Sequence, residues 1–214
     1  INLTDQGTMY QTTTLFNAES NSTNGRYIYK KPDAAINDNK LWLYFGTGDI
    51  QKLQTQSSSI VNRLYGIKDK DFPDFKTINS AGTVSQCKTG KNNCPTSADL
   101  GWYVNLDKSK KVTAKPTIDK NLVLFPIYEP KAAANICDSG NAILADVNNT
   151  CGDATFRQLG KGVLSEALVQ GKNLIIGISG EADEGIDSEG NLITLRSKAV
   201  GGSGKVQLEG WKEN

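Results

Sequence analysis

The sequence predicts an all-β protein, a partial β-propeller of about three four-stranded antiparallel blades preceded by one leading strand. Runs of roughly 5–8 residues rich in β-branched and aromatic side chains recur between clusters of turn-forming residues. Helical periodicity is weak, because the best helical window, "GVLSEALVQG" at 162–171, is short and has Gly at both ends. A unit of about 40–50 residues also repeats along the chain, which is typical of propeller blades.

Each repeat begins with a predicted β-hairpin. A short run containing small residues or Pro leads into a polar turn with Asn or Lys, and an apolar strand follows that ends at Gly or Pro. The three hairpins are "KKPDAAINDNKLWLYFGTGD" (30–49), "TAKPTIDKNLVLFPIYEP" (113–130) and "GVLSEALVQGKNLIIGISGEAD" (162–183). Apolar runs on both sides of a short polar turn indicate this motif.

Two further strands complete each repeat. The third strands are "NRLYGIKD" (62–69), "GNAILADV" (140–147) and "GNLITLRSKA" (190–199). The fourth strands are "GWYVNLD" (101–107), "ATFRQL" (154–159) and "GKVQLEGWKE" (204–213). We therefore place the blades at 30–107, 112–160 and 162–214, with the leading strand "GTMYQTTTLF" at 7–16.

The number of blades implies that the propeller is completed elsewhere. Propellers have about 4–8 blades, whereas three blades would leave two wide apolar faces in water. We expect the remaining blades to come from an upstream segment or a partner chain. The first unit is longer than the others because of polar insertions around 50–62 and 70–100, which are candidate surface loops. The chain begins at Ile1 with no visible signal peptide, so we expect its start to result from processing or cleavage.

The composition excludes several functions. The 214 residues include no His, which removes Ser-His-Asp triads, Cys-His nucleophiles and nearly all catalytic zinc sites. A formal net charge of +1 argues against nucleic acid as a partner. No apolar run approaches the roughly 18 residues of a membrane span. We predict a protein that is not an enzyme, with no catalytic, cofactor-binding or metal-binding residues in this chain.

The four cysteines are predicted to form disulfides. Cys87 and Cys94 lie in "CKTGKNNC", and Cys137 and Cys151 lie in "CDSGNAILADVNNTC". Neither spacing provides the paired CxxC motifs of a zinc site. Of the three connectivities that four cysteines allow, we favour the one with two local bonds, Cys87–Cys94 and Cys137–Cys151. Disulfides persist in oxidising compartments, so the protein is expected to be exported.

The run "KLWLYFGTGD" at 40–49 raises one alternative, because a Gly-rich turn after a strand can bind phosphate. Such a loop needs a helix after its glycines, often with a Lys-Ser/Thr pair. Here "DIQKLQTQSSSIVNRLYGI" instead passes through a polar insertion into another strand. Gly46 and Gly48 are therefore predicted to be turn glycines at the edge of a blade.

The order of these motifs resembles one protein family. "LWLYFGTGDIQKL", "NRLYGIKD", "GWYVNLD", "CDSGNAILADVNNTCG" and the terminal "VQLEGWKEN" look like successive blades in the carboxy-terminal propeller of the PilY/PilC-type tip adhesins of type IV pili. That family also has a calcium-binding loop of Asp-x-Asp-x-Asp type in an earlier blade, and "INL" at residues 1–3 looks like the end of the strand after it. By this resemblance calcium would belong to the missing upstream blade.

The resemblance implies a function in binding, through loops on a rigid scaffold. The protein would lie outside the cell at a bacterial pilus tip or outer membrane, associate with minor pilins or other surface subunits, and contact a host or surface receptor. Neither an Arg-Gly-Asp motif nor the family's large amino-terminal adhesive region is in this sequence. Two alternatives stay open: a quinoprotein-like propeller enzyme, and a purely structural subunit of an extracellular assembly.

Two other groups of residues are candidate sites. The acidic stretch "GEADEGIDSEGN" at 180–191 could hold calcium, but it lacks EF-hand spacing and is also explained as a solvated hairpin tip. Trp42, Trp102 and Trp211 could form a platform for stacking sugars. Because each lies within a strand pattern, we favour packing in the blade core or at its edge.

Overall fold

The computed structural model describes residues 16, 18, 26–56, 60–69, 72, 84–86, 94–96, 99–107, 109–131 and 139–200. These residues confirm the all-β prediction, since they form fourteen strands and one short 3₁₀ turn, Ile50–Lys52. The described ranges contain no helix long and apolar enough to cross a membrane. Most of the predicted leading strand at 7–16 and the whole predicted strand at 204–213 lie outside them.

The first sheet has the strand order β1-β2-β3-β5-β4. Its strands are β1 (Asp33–Asn37), β2 (Lys40–Gly46), β3 (Arg63–Asp69), β4 (Val84–Gln86) and β5 (Gly101–Asn105). Strands β1, β2, β3 and β5 are antiparallel, whereas β4 runs parallel to β5. The prediction that all of 70–100 is surface loop is therefore wrong at β4. Three residues are too few to show strand periodicity in a sequence.

The second and third sheets follow in chain order. The second contains β6 (Lys111–Val112), β7 (Thr117–Asp119), β8 (Leu122–Glu129), β9 (Asn141–Asn148) and β10 (Ala154–Lys161). The third contains β11 (Leu164–Gln170), β12 (Asn173–Ile178), β13 (Ser188–Glu189) and β14 (Leu192–Arg196). All pairings in both sheets are antiparallel. The segment 162–171, which has the strongest helical pattern in the sequence, contains β11, so its prediction as a strand is confirmed.

The sheets pack face to face in the order first, second, third. One apolar cluster joins the first sheet to the second, with Tyr44, Trp102, Phe125 and Val147 among its members. A second cluster joins the opposite face of the second sheet to the third. The second sheet is therefore buried on both faces, and its central strands β8 and β9 show long buried runs as a result.

The outer faces of the two end sheets differ. Phe16 and Ala18 pack on the outer face of the first sheet, against Phe45, Tyr65 and Ile67. On the third sheet, Leu168 lies opposite Ile175, and both point away from the second sheet. Leu168 is 62% exposed and Leu192 is 54% exposed. Within the described residues, the third sheet thus has apolar side chains in water on its outer face.

One edge strand from each of the three sheets, β1, β7 and β11, lies next to another. The backbone N–H of Ile118 in β7 donates to Asp33 Oδ2 in β1 at 3.3 Å. On the other side of β7, Thr117 Oγ1 donates to the carbonyl oxygen of Ala167 in β11 at 2.8 Å. The sheets consequently converge along one edge, formed by β1, β7 and β11.

The segment Gly46-Thr47-Gly48 joins the first two sheets. The Thr47 carbonyl accepts from Val112 N at 3.1 Å, and the Thr47 hydroxyl, fully buried, donates to Asn62 Oδ1 at 3.2 Å. A Cβ on Gly46 would overlap the Val112 side chain, and one on Gly48 would lie 2.7 Å from Lys111 Cβ. The glycines are therefore needed for close approach between sheets. Gly46 is the last residue of β2, so the prediction that it is a turn glycine is wrong.

Candidate functional site

A cleft with a volume of about 360 Å³ lies at one end of the first two sheets. Its lining comes from strand ends and turns that are far apart in sequence. The lining residues are Asn37, Asp38, Lys40, Trp42, Lys68, Pro95, Thr96 and Thr150. Reasoning from the sequence did not single out this set as a site, because each residue type is ordinary for a turn or a strand end.

The β1–β2 turn forms one wall of the cleft. Asp38 and Asn39 both have positive φ, 51° and 56°, which is the backbone of a type I′ hairpin turn. Asp and Asn tolerate this left-handed conformation better than most residues, so the local sequence "NDNK" favours the turn. The Asn37 amide donates to Tyr44 Oη at 3.2 Å, which holds the wall against the core.

Thr96 and Thr150 form another part of the lining. The Thr96 hydroxyl and backbone N–H both donate to Asp99 Oδ2, at 2.9 and 2.7 Å. The Thr150 hydroxyl and backbone N–H both donate to Asn148 Oδ1, each at 3.1 Å. In each case, two hydrogen bonds to a single side-chain oxygen fix the position of the threonine hydroxyl.

A disulfide between Cys94 and Cys151 joins the segment that contains Thr96 to the segment that contains Thr150, with the two Cα atoms 4.4 Å apart. The predicted local pairings, Cys87–Cys94 and Cys137–Cys151, are therefore wrong. Folding brings the 94–96 segment beside the β9–β10 turn, although the bonded cysteines are 57 residues apart in sequence. Cys87 and Cys137 lie outside the described residues.

Trp42 and Lys68, which are paired across β2 and β3, also line the cleft. Lys68 Nζ donates to the Thr96 carbonyl at 3.1 Å and lies 5.7 Å from the centre of the Trp42 ring. Both residues are mostly buried. The Tyr44 ring stacks on Trp42, and burial raises the pKa of Tyr44 well above its usual value, against the opposing effect of the Asn37 hydrogen bond. Tyr44 is therefore a neutral hydrogen-bonding group.

The tryptophans within the described residues lie in the core, as predicted. Trp42 is 5% exposed, and Trp102 is completely buried and donates from Nε1 to the Asn149 carbonyl at 2.9 Å. Neither ring has a free face for stacking a sugar. Trp211 lies outside the described residues.

The acidic stretch at 180–191 forms the connection between β12 and β14. Ser188 and Glu189 form β13 and pair back on β14, and Asp183 Oδ2 accepts from Gln158 Nε2 at 2.7 Å. Among the residues that the structure describes, no three His, Cys, Asp or Glu side chains are grouped to hold a metal ion.

The insertion after Gly48 is anchored by a buried lysine at the opposite end of β2 from the cleft. Lys111 Nζ donates to the carbonyl oxygens of Leu53 and Thr55, at 2.9 and 2.7 Å. Burial lowers the pKa of Lys111, and the negative charge of Asp49 opposes that shift. This part of the predicted surface loop is held against the second sheet.

These features define a class: an all-β protein of three largely antiparallel sheets stacked face to face, with the edge strands β1, β7 and β11 side by side. A solved structure with this fold is the crystal structure of the Pseudomonas aeruginosa PilY1 C-terminal domain. The TM-score is 0.50 and the identity is 12%, over 79% of this chain and 45% of that chain. The family resemblance seen in the residues is confirmed at the level of the fold, which is PilY1-like.

The chain spans less than half the length of the PilY1 structure that it matches. No protein-family model matches the sequence, and no curated protein matches it. The similarity is therefore carried by three-dimensional structure, and it establishes the fold of this chain.

Proposed function

We propose that the three sheets are consecutive blades of an incomplete β-propeller. The support is geometric: the sheets pack in chain order, and their edge strands β1, β7 and β11 are neighbours. In a propeller one edge strand of each blade lies next to the central axis, and successive blades pack face to face. The remaining blades would come from an upstream segment or a partner chain.

We further propose that the protein is a non-enzymatic component of a type IV pilus, located outside the bacterial cell. The PilY1-like fold is the observation that carries this proposal. The disulfide between Cys94 and Cys151 supports an extracellular location, because such bonds persist in oxidising compartments. The propeller acts as a rigid scaffold whose loops bind minor pilins or a surface receptor, so that it serves adhesion or pilus assembly.

Deleting the coding region of this chain from its source bacterium should reduce surface piliation or adherence to a host or abiotic surface. Electron microscopy of pili and a quantitative adherence assay measure the two outcomes. Complementation with the intact gene is the control, and it should restore both. Normal piliation together with normal adherence in the deletion strain would exclude the proposed function.

The incomplete propeller makes a separate prediction about the isolated chain. Because Leu168 and Leu192 are exposed on the third sheet, the chain should bind the hydrophobic dye ANS. The double variant Leu168→Lys/Leu192→Lys should bind less dye at unchanged melting temperature, while Glu166→Lys on the same strand should bind as much as the parent. A parent chain that is monomeric, melts cooperatively and binds no ANS would contradict the proposal that blades are missing.

A further inference from the structure

We propose that Lys161 and Asn141 form an isopeptide bond, a covalent cross-link between strands β9 and β10 that the chain makes on its own after folding. The bond joins Lys161 Nζ to Asn141 Cγ, and Glu129 is the acid–base group beside it. This modification site goes beyond the proposed pilus function and does not depend on it.

The three residues form one row across adjacent strands of the second sheet. Glu129 in β8 lies directly opposite Asn141 in β9, and Asn141 lies directly opposite Lys161 in β10. Residues directly opposite each other on antiparallel strands project to the same face, with their Cβ atoms roughly 4.5–5.5 Å apart. The sheet therefore places a carboxyl group, an amide and an amine side by side.

A β-bulge puts Lys161 in this row. The register of β10 against β9 shifts between Gln158 and Gly160. Without the extra residue, Gly160 rather than Lys161 would lie opposite Asn141. β-Bulges re-aim side chains and are over-represented beside functional sites.

The side chains of the row are in contact. Lys161 Nζ donates to Asn141 Oδ1 at 2.5 Å, and Asn141 Nδ2 donates to Glu129 Oε2 at 3.0 Å. Because a C=O bond is about 1.23 Å long, Lys161 Nζ lies no more than about 3.7 Å from Asn141 Cγ. Reacting atoms in a near-attack conformer are about 3–3.5 Å apart. Only a small movement of the lysine side chain is needed for attack on the amide carbon.

The backbone holds the amine and the amide in place. The N–H of Gly162, which follows Lys161, donates to the carbonyl oxygen of Gly140 at 2.8 Å. The N–H of Gly140, which precedes Asn141, donates to Tyr128 Oη at 2.8 Å. Well-oriented groups within one molecule react with effective molarities of about 10⁵–10⁸ M, which favours bond formation between groups that react slowly in free solution.

Glu129 is positioned to transfer protons. Its Oε2 accepts from Asn141 Nδ2, the nitrogen that must leave, and its Oε1 lies 3.7 Å from Lys110 Nζ. The Glu129 side chain is 28% exposed, so water reaches it. A general acid–base group acts on atoms within hydrogen-bond distance or through one water molecule.

The reaction balances without a further reactant. Lys161 Nζ gives up a proton and attacks Asn141 Cγ with its lone pair, so that a C–N bond forms. Glu129 takes this proton through a water molecule and delivers it to Nδ2, which leaves as ammonia when the Cγ–Nδ2 bond breaks. The second proton released by Nζ converts the ammonia to ammonium. A lysine ammonium and an amide thus become a secondary amide and an ammonium ion, with no oxidation or reduction.

The test is the intact mass of the folded parent chain, measured after reduction and denaturation. We expect the mass to be lower than that of the sequence by one ammonia. Trypsin should then release segment 132–157 joined to segment 158–172, because trypsin does not cleave after an acylated Lys161. A succinimide at an Asn side chain also loses ammonia, but it leaves these two segments separate.

Variants assign the reacting groups. Lys161→Arg keeps the positive charge and a donor for Asn141 but has no nucleophilic amine, so it should have the full mass of its sequence. Glu129→Gln should slow bond formation by about 10²-fold or more, measured as the cross-linked fraction at intervals after synthesis of the chain. The matched control is Lys172→Arg at an exposed lysine in the β11–β12 turn, which should lose ammonia like the parent.

A folded parent chain with the full mass of its sequence would overturn the proposal. Loss of ammonia with segments 132–157 and 158–172 released separately would overturn it too. A Lys161→Arg variant that still loses ammonia while its circular dichroism shows an intact fold would assign the loss to other residues. Cross-linking of Glu129→Gln as fast as that of the parent would contradict the role of Glu129.

Discussion

Replacing Trp102 by Ala should lower the free energy of unfolding by about 3–5 kcal/mol, the usual loss for a buried Trp or Phe. Trp102 has no exposed surface and lies in the cluster between the first two sheets. Its ring packs against Gly66 and Gly152, where a Cβ would overlap the indole or approach within 2.8 Å of it. Truncation therefore leaves a cavity that the surrounding backbone cannot easily fill.

Replacing Trp102 also removes a hydrogen bond between the first two sheets. Trp102 Nε1 donates to the Asn149 carbonyl at 2.9 Å, which links β5 of the first sheet to the β9–β10 turn of the second. Trp102→Phe keeps an aromatic ring but leaves this buried carbonyl without its donor, a loss of about 1–3 kcal/mol. We therefore expect the order of stability to be parent, Trp102→Phe, Trp102→Ala.

Urea unfolding followed by far-UV circular dichroism measures these differences without depending on Trp fluorescence. Leu168→Ala, which removes an exposed side chain on the third sheet, is the matched control and should change the free energy by less than about 0.5 kcal/mol. A Trp102→Ala variant that unfolds at the same urea concentration as the parent would contradict the assignment of this residue to the core.

Removing the disulfide with Cys94→Ser/Cys151→Ser should lower the free energy of unfolding by about 4 kcal/mol. The bonded cysteines are 57 residues apart, and the entropy that a cross-link removes from the unfolded chain grows with loop length. The local pairings predicted from sequence would close much shorter loops, so each would be expected to stabilise less. Denaturation of the parent and the double variant under oxidising conditions measures the difference.

The pairing itself can be tested in the Cys87→Ser/Cys137→Ser background. This change removes one member of each local pair, so neither predicted pairing can form. Cys94 and Cys151 should still bond, and trypsin without reductant should release one cross-linked species containing segments 92–108 and 132–157. Recovery of two free thiols from the denatured, non-reduced variant would contradict the bond.

Much of the fold was predictable because strand signals are local. Runs such as "LVLFPIYE" and "NAILADVN" are rich in β-branched and aromatic residues and are bounded by turn formers, and they form β8 and β9. The repeated hairpins then indicated that each sheet contains the same hairpin arrangement. The strand β4 was missed because its three residues pair with β5, which begins fifteen residues after β4 ends.

The cleft was not predictable, because none of its parts carries a local signal. Asp38 has the ordinary role of a turn residue in "NDNK", and Thr96 that of a loop residue. Only packing of the first sheet on the second brings Thr150 into the same cleft as Asn37 and Lys68. Because the cleft is assembled from separate turns and strand ends, no fixed spacing between its residues marks it in the sequence.

The sequence by itself determined the fold class, the hairpins and the burial of Trp42 and Trp102, because alternation and strand composition act between residues close in the chain. Tertiary structure decided the partner of Cys94, the parallel strand β4 and the cleft. It also explained "GTG" at 46–48: Gly46 and Gly48 permit contact with Val112 and Lys111, more than sixty residues away. These features depend on how sheets approach one another, which local propensities do not encode.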